Sequence, residues 1–190
     1  MNKVVKKPAV FLDRDGVLTE EIGYIASVKD LKMFSYSAQA VQKIRQKGYD
    51  TIVVTNQSGV ARGLFTEEAL QKMNDYLIEQ TGVDAIFYCP HHPEGTIEKY
   101  RIECDCRKPG TGMFDAACRE FEVDILKSYM IGDRACDILA GQNAGVRTIL
   151  LESGYGTDRL EAEVTPDAVM KDLRDVAEWL PDATGVCRIE

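Results

Sequence analysis

Two carboxylates, Asp13 and Asp15, stand two residues apart directly after the apolar run AVFL (9–12) and before a glycine. One carboxylate of such a pair can attack an electrophilic phosphorus atom while the other acts as general acid and then as general base, provided that their surroundings separate their pKa values. An isolated acidic turn of this kind is more often a solvated surface feature. Residues elsewhere in the chain must therefore decide between the two interpretations.

A second acidic group follows the apolar run YMI (129–131). Asp133 comes after Gly132, and Asp137 stands four residues further on, in the first turn of a predicted helix. Carboxylates that converge from two strand ends form an oxygen-lined site of the kind that Mg²⁺ prefers, with water and phosphate as its other ligands. The acids therefore indicate a magnesium site.

Three further polar residues have the chemistry to hold a phosphoryl group. Thr55 and Asn56 follow the apolar run IVV (52–54), and Lys108 lies in the segment CRKP (106–109). A hydroxyl, an amide and an ammonium group can together balance the charge of a phosphoryl group in transfer. Taken singly, Thr55 is equally well a strand-end hydroxyl and Lys108 a surface lysine, so the indication comes from their order after successive strands.

Cysteine and histidine are clustered between positions 89 and 106. Cys89, Cys104 and Cys106, with His91 or His92, supply the four soft or borderline ligands that close a tetrahedral Zn²⁺ site. Scattered core cysteines are the alternative. A zinc ion with four protein ligands is structural, because no position remains for water or substrate. The sequence has three further cysteines, interpreted as core or surface thiols: Cys118, Cys136 and Cys187.

Short β-branched runs alternate with longer amphipathic stretches, which is typical of βαβ units around a parallel sheet. We predict strands over 9–12, 51–54, 85–88, 129–131 and 148–151, with a sixth near 168–170. We predict helices over 37–47, 66–82, 113–121, 136–144 and 171–180. Two long connections, 19–34 and 90–111, begin where strands end, at the sheet edge at which ligands bind in such folds.

Length and composition fit one compact domain spanning 1–190, since 190 residues with 45% hydrophobic and 28% charged residues are ordinary for a globular protein. The net charge of −8 argues against a nucleic-acid partner but not against a small anionic substrate. No apolar stretch approaches the length of a membrane span, and the first residues do not resemble a signal peptide. We therefore expect a cytoplasmic protein, a monomer, with no membrane or nucleic-acid partner.

The acids, Thr55 and Lys108 together resemble the four motifs of the haloacid dehalogenase superfamily of phosphohydrolases. Longer segments extend the resemblance from about position 9 to 150: DRDGV, VVTNQSGVARG, CPHHPEG and CDCRKP. They are similar to the branch that removes the 7-phosphate of heptose 1,7-bisphosphates, in heptose biosynthesis for lipopolysaccharide. The histidinol-phosphate phosphatase branch is the alternative, because it shares DRDG, TNQ and CxCRKP.

The resemblance implies a Rossmann-like α/β fold: an open parallel sheet with helices on both faces. It also implies a zinc-binding loop at about 89–108. Only about 40 residues separate the first two motifs, which leaves room for a flap and one helix but not for a separate cap domain. The stretch PEGTIEKYRIE (93–103) favours the heptose branch, whose loop is longer. A receiver-like phospho-accepting domain is a less favoured alternative, because the DxD pair lies on the first strand.

The resemblance assigns roles residue by residue. Asp13 would be the nucleophile that forms an aspartyl-phosphate, and Asp15 would protonate the leaving hydroxyl and then activate water. Mg²⁺ would be held by the side chains of Asp13 and Asp133 and by the backbone carbonyl of Asp15. The zinc ligands would be Cys89, His91, Cys104 and Cys106.

Substrate contacts are also implied by the resemblance. The phosphoryl group would be steadied by Thr55, Asn56 and Lys108, and Arg107 would recognise the rest of the substrate. The remaining contacts would be Glu21, Ile22, Gly23, Tyr24, Gln57, Ser58 and Arg134. Arg134 stands where the sugar phosphatases of this family carry lysine, so the positive charge is kept while the donor geometry changes.

Overall fold

The computed structural model describes residues 6–156 and 164–183. Six strands form one sheet: β1 Ala9–Leu12, β2 Asp50–Asn56, β3 Ala85–Cys89, β4 Tyr129–Gly132, β5 Arg147–Leu151 and β6 Ala168–Met170. All neighbouring strands are parallel, in the order β3-β2-β1-β4-β5-β6. The central position of β1, between β2 and β4, brings the ends of these three strands to one edge.

Five helices connect and cover the strands: α1 Ser37–Gln46, α2 Glu67–Thr81, α3 Gly112–Phe121, α4 Ala135–Ala144 and α5 Leu173–Trp179. Alternate residues of β1 enter two different cores, since Val10 and Leu12 join a cluster with α1 and α5, whereas Ala9 and Phe11 join one with α3. The sheet is therefore covered on both faces. The predicted open parallel α/β architecture is confirmed.

Local signals explain the ends of the best predicted helix. The Thr66 hydroxyl accepts a hydrogen bond from the backbone N–H of Ala69, 3.1 Å away, and so caps α2. Gly82 ends this helix in the left-handed conformation, with φ of 71°. Its apolar face packs against Ile25 and Leu31 of the connection after β1, which fixes that connection over the sheet edge.

Two predicted boundaries were wrong by two residues, and the others by at most one. Strand β2 runs on to Asn56, so Thr55 and Asn56 lie within the strand, paired with β3, rather than after it. Helix α5 begins at Leu173 and not at Lys171, because the extended Asp172 accepts a hydrogen bond from the backbone N–H of Arg174 and caps the helix there.

The connection from β1 to α1 contains isolated bridge pairs but no helix within the described residues 13–36. It therefore forms a flap beside the sheet edge and not a separate cap domain, as predicted. Within the described part of the chain, no helix has the length and apolarity needed to span a membrane.

Candidate active site

A cleft of about 260 Å³ opens at the carboxyl ends of β1, β2 and β4. The structure brings most of the predicted site residues to its walls: Asp13, Asp15, Glu21, Gly23, Tyr24, Thr55, Asn56, Gln57, Ser58, Arg107, Lys108 and Arg134. Asp133 lies beneath the cleft and is completely buried. Ile22 borders a neighbouring hollow with Ser153 and Gly154 instead.

Lys108 is the buried cation at the centre of the site. Its ammonium group lies 3.0 Å from Asp13 Oδ1 and 2.6 Å from Asp137 Oδ1, and it donates to the carbonyl of Val54 over 2.7 Å. The ammonium group thus has two carboxylate oxygens and one backbone carbonyl oxygen within hydrogen-bond distance. Lys108 therefore balances the carboxylates on either side of it while its position is fixed by the backbone of β2.

Asn56 fixes the backbone of Lys108. The Asn56 side-chain oxygen Oδ1 accepts a hydrogen bond from the backbone N–H of Lys108 over 3.0 Å. The Asn56 side-chain nitrogen Nδ2 donates to the backbone carbonyl of Lys108 over 3.1 Å. This reciprocal pair ties the end of β2 to the segment that carries Lys108. Asn56 was predicted to contact the substrate, but both hydrogen bonds that its side chain makes here are to the backbone of Lys108.

Two segments lie against Asp133, the turn after β1 and the connection after β5. Its Oδ2 accepts from the backbone N–H of Tyr155 over 2.9 Å, while Gly16 and Gly154 lie so close that a β-carbon on either would meet Oδ2 at 2.4 and 2.0 Å respectively. Its other oxygen, Oδ1, is buried and has no hydrogen-bond partner within residues 6–156 and 164–183.

Asp133 and two neighbouring carboxylates form a group suited to binding a cation. Oxygens of Asp13, Asp133 and Asp137 lie within 4.8 Å of one another. Burial, with the neighbouring charges of Asp13 and Asp137, raises the pKa of Asp133 to about 7. Burial also raises the pKa of Asp13 to about 6, against the opposing effect of Lys108. A buried, unpartnered carboxylate oxygen among like charges fits a divalent cation such as Mg²⁺.

The Asp15 side chain is outside this group and has its own partners. Its carboxylate accepts from Arg14 through Nε and Nη2, at 3.0 and 2.8 Å, from the Thr19 hydroxyl at 2.9 Å and from Gln57 Nε2 at 3.1 Å. Burial acts to raise the pKa of Asp15, but the Arg14 ion pair and these hydrogen bonds outweigh it and hold that pKa below its usual range. The two acids of the DxD pair thus differ in environment, as acid–base division of labour requires.

Arg14 is a residue of the cleft that the sequence analysis did not identify. It lies between the two acids in the chain, is 1% exposed, and lines the cleft. A buried arginine needs a carboxylate partner. The signal in the sequence was therefore an arginine between two aspartates at the end of an apolar strand.

An ion pair crosses the mouth of the cleft. Arg134 Nη2 lies 2.6 Å from Glu21 Oε2, and the Arg134 guanidinium stacks over the ring of Tyr155 with its carbon 4.3 Å from the ring centre. Glu21 also accepts from the Gly23 N–H. The flap is thereby joined to the start of α4.

The predicted zinc ligands come together at the end of β3. The three Sγ atoms of Cys89, Cys104 and Cys106 lie 3.0 to 3.4 Å apart, and His91 Nδ1 lies 3.2 to 3.8 Å from each of them. A tetrahedral zinc ion with Zn–S bonds of about 2.3 Å separates its ligands by about 3.7 Å. His92 contacts Arg62 instead, so the geometry favours His91 over His92.

The other cysteines have different surroundings. Cys136 lines the cleft beside Asp137, and burial raises the pKa of its thiol to about 12, which favours the protonated thiol. Cys118 belongs to α3 and is partly buried against the core. Cys187 lies outside the described residues.

The fold and the arrangement of acids around Lys108 define a haloacid dehalogenase-like hydrolase, and comparison with known proteins agrees. A family model described as HAD-hydrolase-like matches residues 105–176. The chain is 41% identical over 180 residues to the D-glycero-beta-D-manno-heptose-1,7-bisphosphate 7-phosphatase of Haemophilus ducreyi, with 92% of this chain and 98% of that protein covered.

Other relatives carry the same or a closely related name. The Vibrio cholerae protein of the same name is 43% identical, with 92% of this chain and 96% of that protein covered. A heptose 1,7-bisphosphate phosphatase from B. bronchiseptica, crystallised with magnesium and phosphate, superposes with a TM-score of 0.74 at 35% identity, with 90% of this chain and 96% of that chain covered. The chain belongs to the D-glycero-D-manno-heptose-1,7-bisphosphate 7-phosphatase family and is a phosphatase.

Proposed function

We propose that this phosphatase removes the 7-phosphate of D-glycero-D-manno-heptose 1,7-bisphosphate through an aspartyl-phosphate on Asp13. The observation that carries the proposal is the position of Asp13 at the base of the cleft, 3.0 Å from Lys108. Lys108 and the backbone N–H of Arg14 both contact Asp13 Oδ1, so we assign the attack to Oδ2. The names of the relatives supply the substrate.

The reaction proceeds in two displacements. Asp13 Oδ2 attacks phosphorus, the bond from phosphorus to the sugar O7 breaks, and Asp15 gives O7 its proton. Water then attacks the phosphorus of the aspartyl-phosphate, Asp15 takes the proton of that water, and the bond to Asp13 breaks to release phosphate. Thr55 donates to a phosphoryl oxygen, and Lys108 offsets the negative charge.

Arg14 affects the protonation state of Asp15, which acts as acid in the first step and as base in the second. The ion pair favours the ionised carboxylate, which is the form that the second step needs as base. Asp15 ends the second step protonated, and this is the proton that it delivers to O7 in the first step of the next cycle.

Two metals complete the proposal. Mg²⁺ would be held by Asp13, Asp133 and the backbone carbonyl of Asp15, and it would neutralise charge on the phosphoryl oxygens. The unpartnered Asp133 Oδ1 supports this assignment. Zn²⁺ would be held by Cys89, His91, Cys104 and Cys106, and it would fix the 89–108 loop within a single domain of 1–190.

The positions around the cleft suit a second phosphate. Arg107 and Arg134 both line the cleft, and Glu21, Gly23 and Tyr24 of the flap line it as well. We assign the sugar and its 1-phosphate to this outer region, with Ser58 beside the reacting phosphate and Ile22 at the edge. The protein is proposed to act in the cytoplasm as a monomer on this small phosphosugar, without a membrane or nucleic-acid partner.

Phosphate release in the presence of Mg²⁺ tests the proposal, with the alpha and beta anomers of heptose 1,7-bisphosphate and histidinol phosphate as substrates and Asp13→Asn as the blank. We expect strong turnover of one heptose anomer and none in the variant. Preference for histidinol phosphate would keep the catalytic assignments and overturn the substrate. Equal release by Asp13→Asn would overturn the nucleophile.

A further inference from the structure

Gln57 donates hydrogen bonds to two groups that act on different oxygens in the proposed reaction. Asp15 acts on the leaving oxygen, and Thr55 acts on a phosphoryl oxygen. Gln57 Nε2 donates to Asp15 Oδ2 over 3.1 Å and to Thr55 Oγ1 over 3.0 Å. An amide nitrogen carries two hydrogens, so both bonds can exist at once. The resemblance to the family placed Gln57 among the substrate contacts, but both of its donors are used within the protein.

The bond to Thr55 has a direct consequence for phosphate binding. A hydroxyl has one hydrogen, and an Oγ1 that accepts from Gln57 directs its hydrogen elsewhere. Thr55 is 1% exposed and lines the cleft. Gln57 therefore leaves the Thr55 hydrogen available to a phosphoryl oxygen.

The position of Gln57 is itself fixed. Its side chain is 5% exposed, and its backbone N–H donates to the carbonyl of Cys89 over 2.8 Å. Cys89 belongs to the cysteine and histidine cluster at the end of β3. The backbone of Gln57 is thus tied to the end of β3, next to that cluster.

We propose that Gln57 is a positioning residue that holds the Asp15 carboxyl group and the Thr55 hydroxyl in one geometry about the phosphoryl group. The inference rests on the roles given to Asp15 and Thr55 in the proposed function. The inference predicts that the effect of losing Gln57 depends on the leaving group. Loss of Gln57 must affect substrates that need a proton on the leaving oxygen more than substrates that do not.

The test compares two substrates in the Gln57→Met variant, which keeps the volume of the side chain and removes its donors. The quantity compared is kcat/KM, because it reports formation of the aspartyl-phosphate and not the hydrolysis step that all substrates share. p-Nitrophenyl phosphate releases a stable anion and needs no acid, so we expect its kcat/KM to fall about tenfold, through Thr55 alone. For the sugar or alkyl phosphate that the wild type hydrolyses fastest, we expect about a hundredfold fall in kcat/KM, because Asp15 is displaced as well. KM for both substrates should change by less than about threefold.

Two matched variants complete the comparison. Thr55→Val removes the hydroxyl alone and should lower kcat/KM for both substrates by the same factor. Gln71→Met, on the exposed face of α2, should change neither. Gln57→Asn keeps an amide too short to reach both partners, and it should show the same unequal loss if Gln57→Met fails to fold.

Three results would overturn the inference. Equal losses in kcat/KM on the two substrates would show that Gln57 does not act through the acid role of Asp15. A raised KM with unchanged kcat would make Gln57 a substrate contact. A lowered thermal midpoint accompanied by parallel losses in both Gln57 variants would make it a structural residue. Failure of the wild type on heptose bisphosphates would overturn only the proposed substrate, because the comparison uses whichever alkyl phosphate is hydrolysed.

Discussion

Gly154 lies directly against the carboxylate of Asp133. A β-carbon at position 154 would be 2.0 Å from Asp133 Oδ2, and the next residue donates its backbone N–H to that same oxygen over 2.9 Å. The Ser153 hydroxyl also donates to the carbonyl of Gly16, 2.7 Å away. The connection after β5 therefore fixes the candidate metal ligand through its backbone, and only glycine leaves the room.

We expect Gly154→Ala to weaken magnesium binding. The added methyl group must displace Asp133, and changes next to a metal ligand commonly cost about 10- to 100-fold in metal affinity or activity. The dependence of kcat on Mg²⁺ concentration measures the effect. Gly156→Ala is the control in the same connection, because its β-carbon would meet nothing closer than 3.8 Å.

The control carries a different cost. Gly156 has φ of 58°, so alanine there costs about 1 kcal/mol of stability without touching Asp133. An equal shift in magnesium dependence for the two variants would contradict the role given to Gly154.

Magnesium should stabilise the protein more strongly as the pH rises. Without the cation, burial and the neighbouring acids raise the pKa of Asp133 to about 7, against a usual value of 3.8. Between these values the folded protein binds more protons than the unfolded chain, so the free energy of unfolding of the magnesium-free protein falls with rising pH. Mg²⁺ competes with those protons.

Thermal unfolding with and without Mg²⁺ checks this prediction. We expect the increase in midpoint caused by Mg²⁺ to be larger at about pH 8 than at about pH 5.5, and to be mostly lost in Asp133→Asn. An increase of the same size at both pH values would show that protons and Mg²⁺ do not share this site.

The positions of Asp13 and Asp133 could be predicted because each follows a short buried strand, and parallel strands bring their carboxyl ends to one edge. The contact of Gly154 with Asp133 could not, since it depends on β5 lying beside β4 in the sheet. Sequence spacing does not specify that neighbour.

Partners within a site were also hidden from the sequence. Asn56 carries the right chemistry for a phosphate contact, but its amide pairs with the backbone of Lys108. Residue type shows which bonds a side chain can make. The fold decides which partner is within reach.

Cys106→Ser should release zinc and reduce activity together. Cys106 is a member of the four-ligand cluster, and Arg107 and Lys108 follow it directly in the chain. Loss of one ligand frees the segment that places both cations, so we expect kcat/KM to fall by about tenfold or more. Zinc content per chain and phosphate release are the two measurements.

Cys118→Ser is the matched control, because Cys118 is partly buried but outside the cluster. It should keep its zinc and its activity. Full zinc content in Cys106→Ser would contradict the ligand assignment, and full activity in a zinc-free variant would contradict the positioning role of the metal.

Glu21 should restrain Arg134 in the free protein. The two side chains form an ion pair of 2.6 Å across the cleft mouth, with Arg134 43% exposed. Pairs of this kind contribute about 0.2 to 1 kcal/mol, which corresponds to a change of up to about fivefold in a binding constant. If this ion pair must open before Arg134 meets an anionic substrate, Glu21→Gln should lower the inhibition constant of inorganic phosphate. The double variant Glu21→Gln with Arg134→Gln is the control, and the effect should disappear in it. A direct contact from Glu21 to the sugar predicts the opposite result, a raised KM for the bisphosphate with no change in phosphate inhibition.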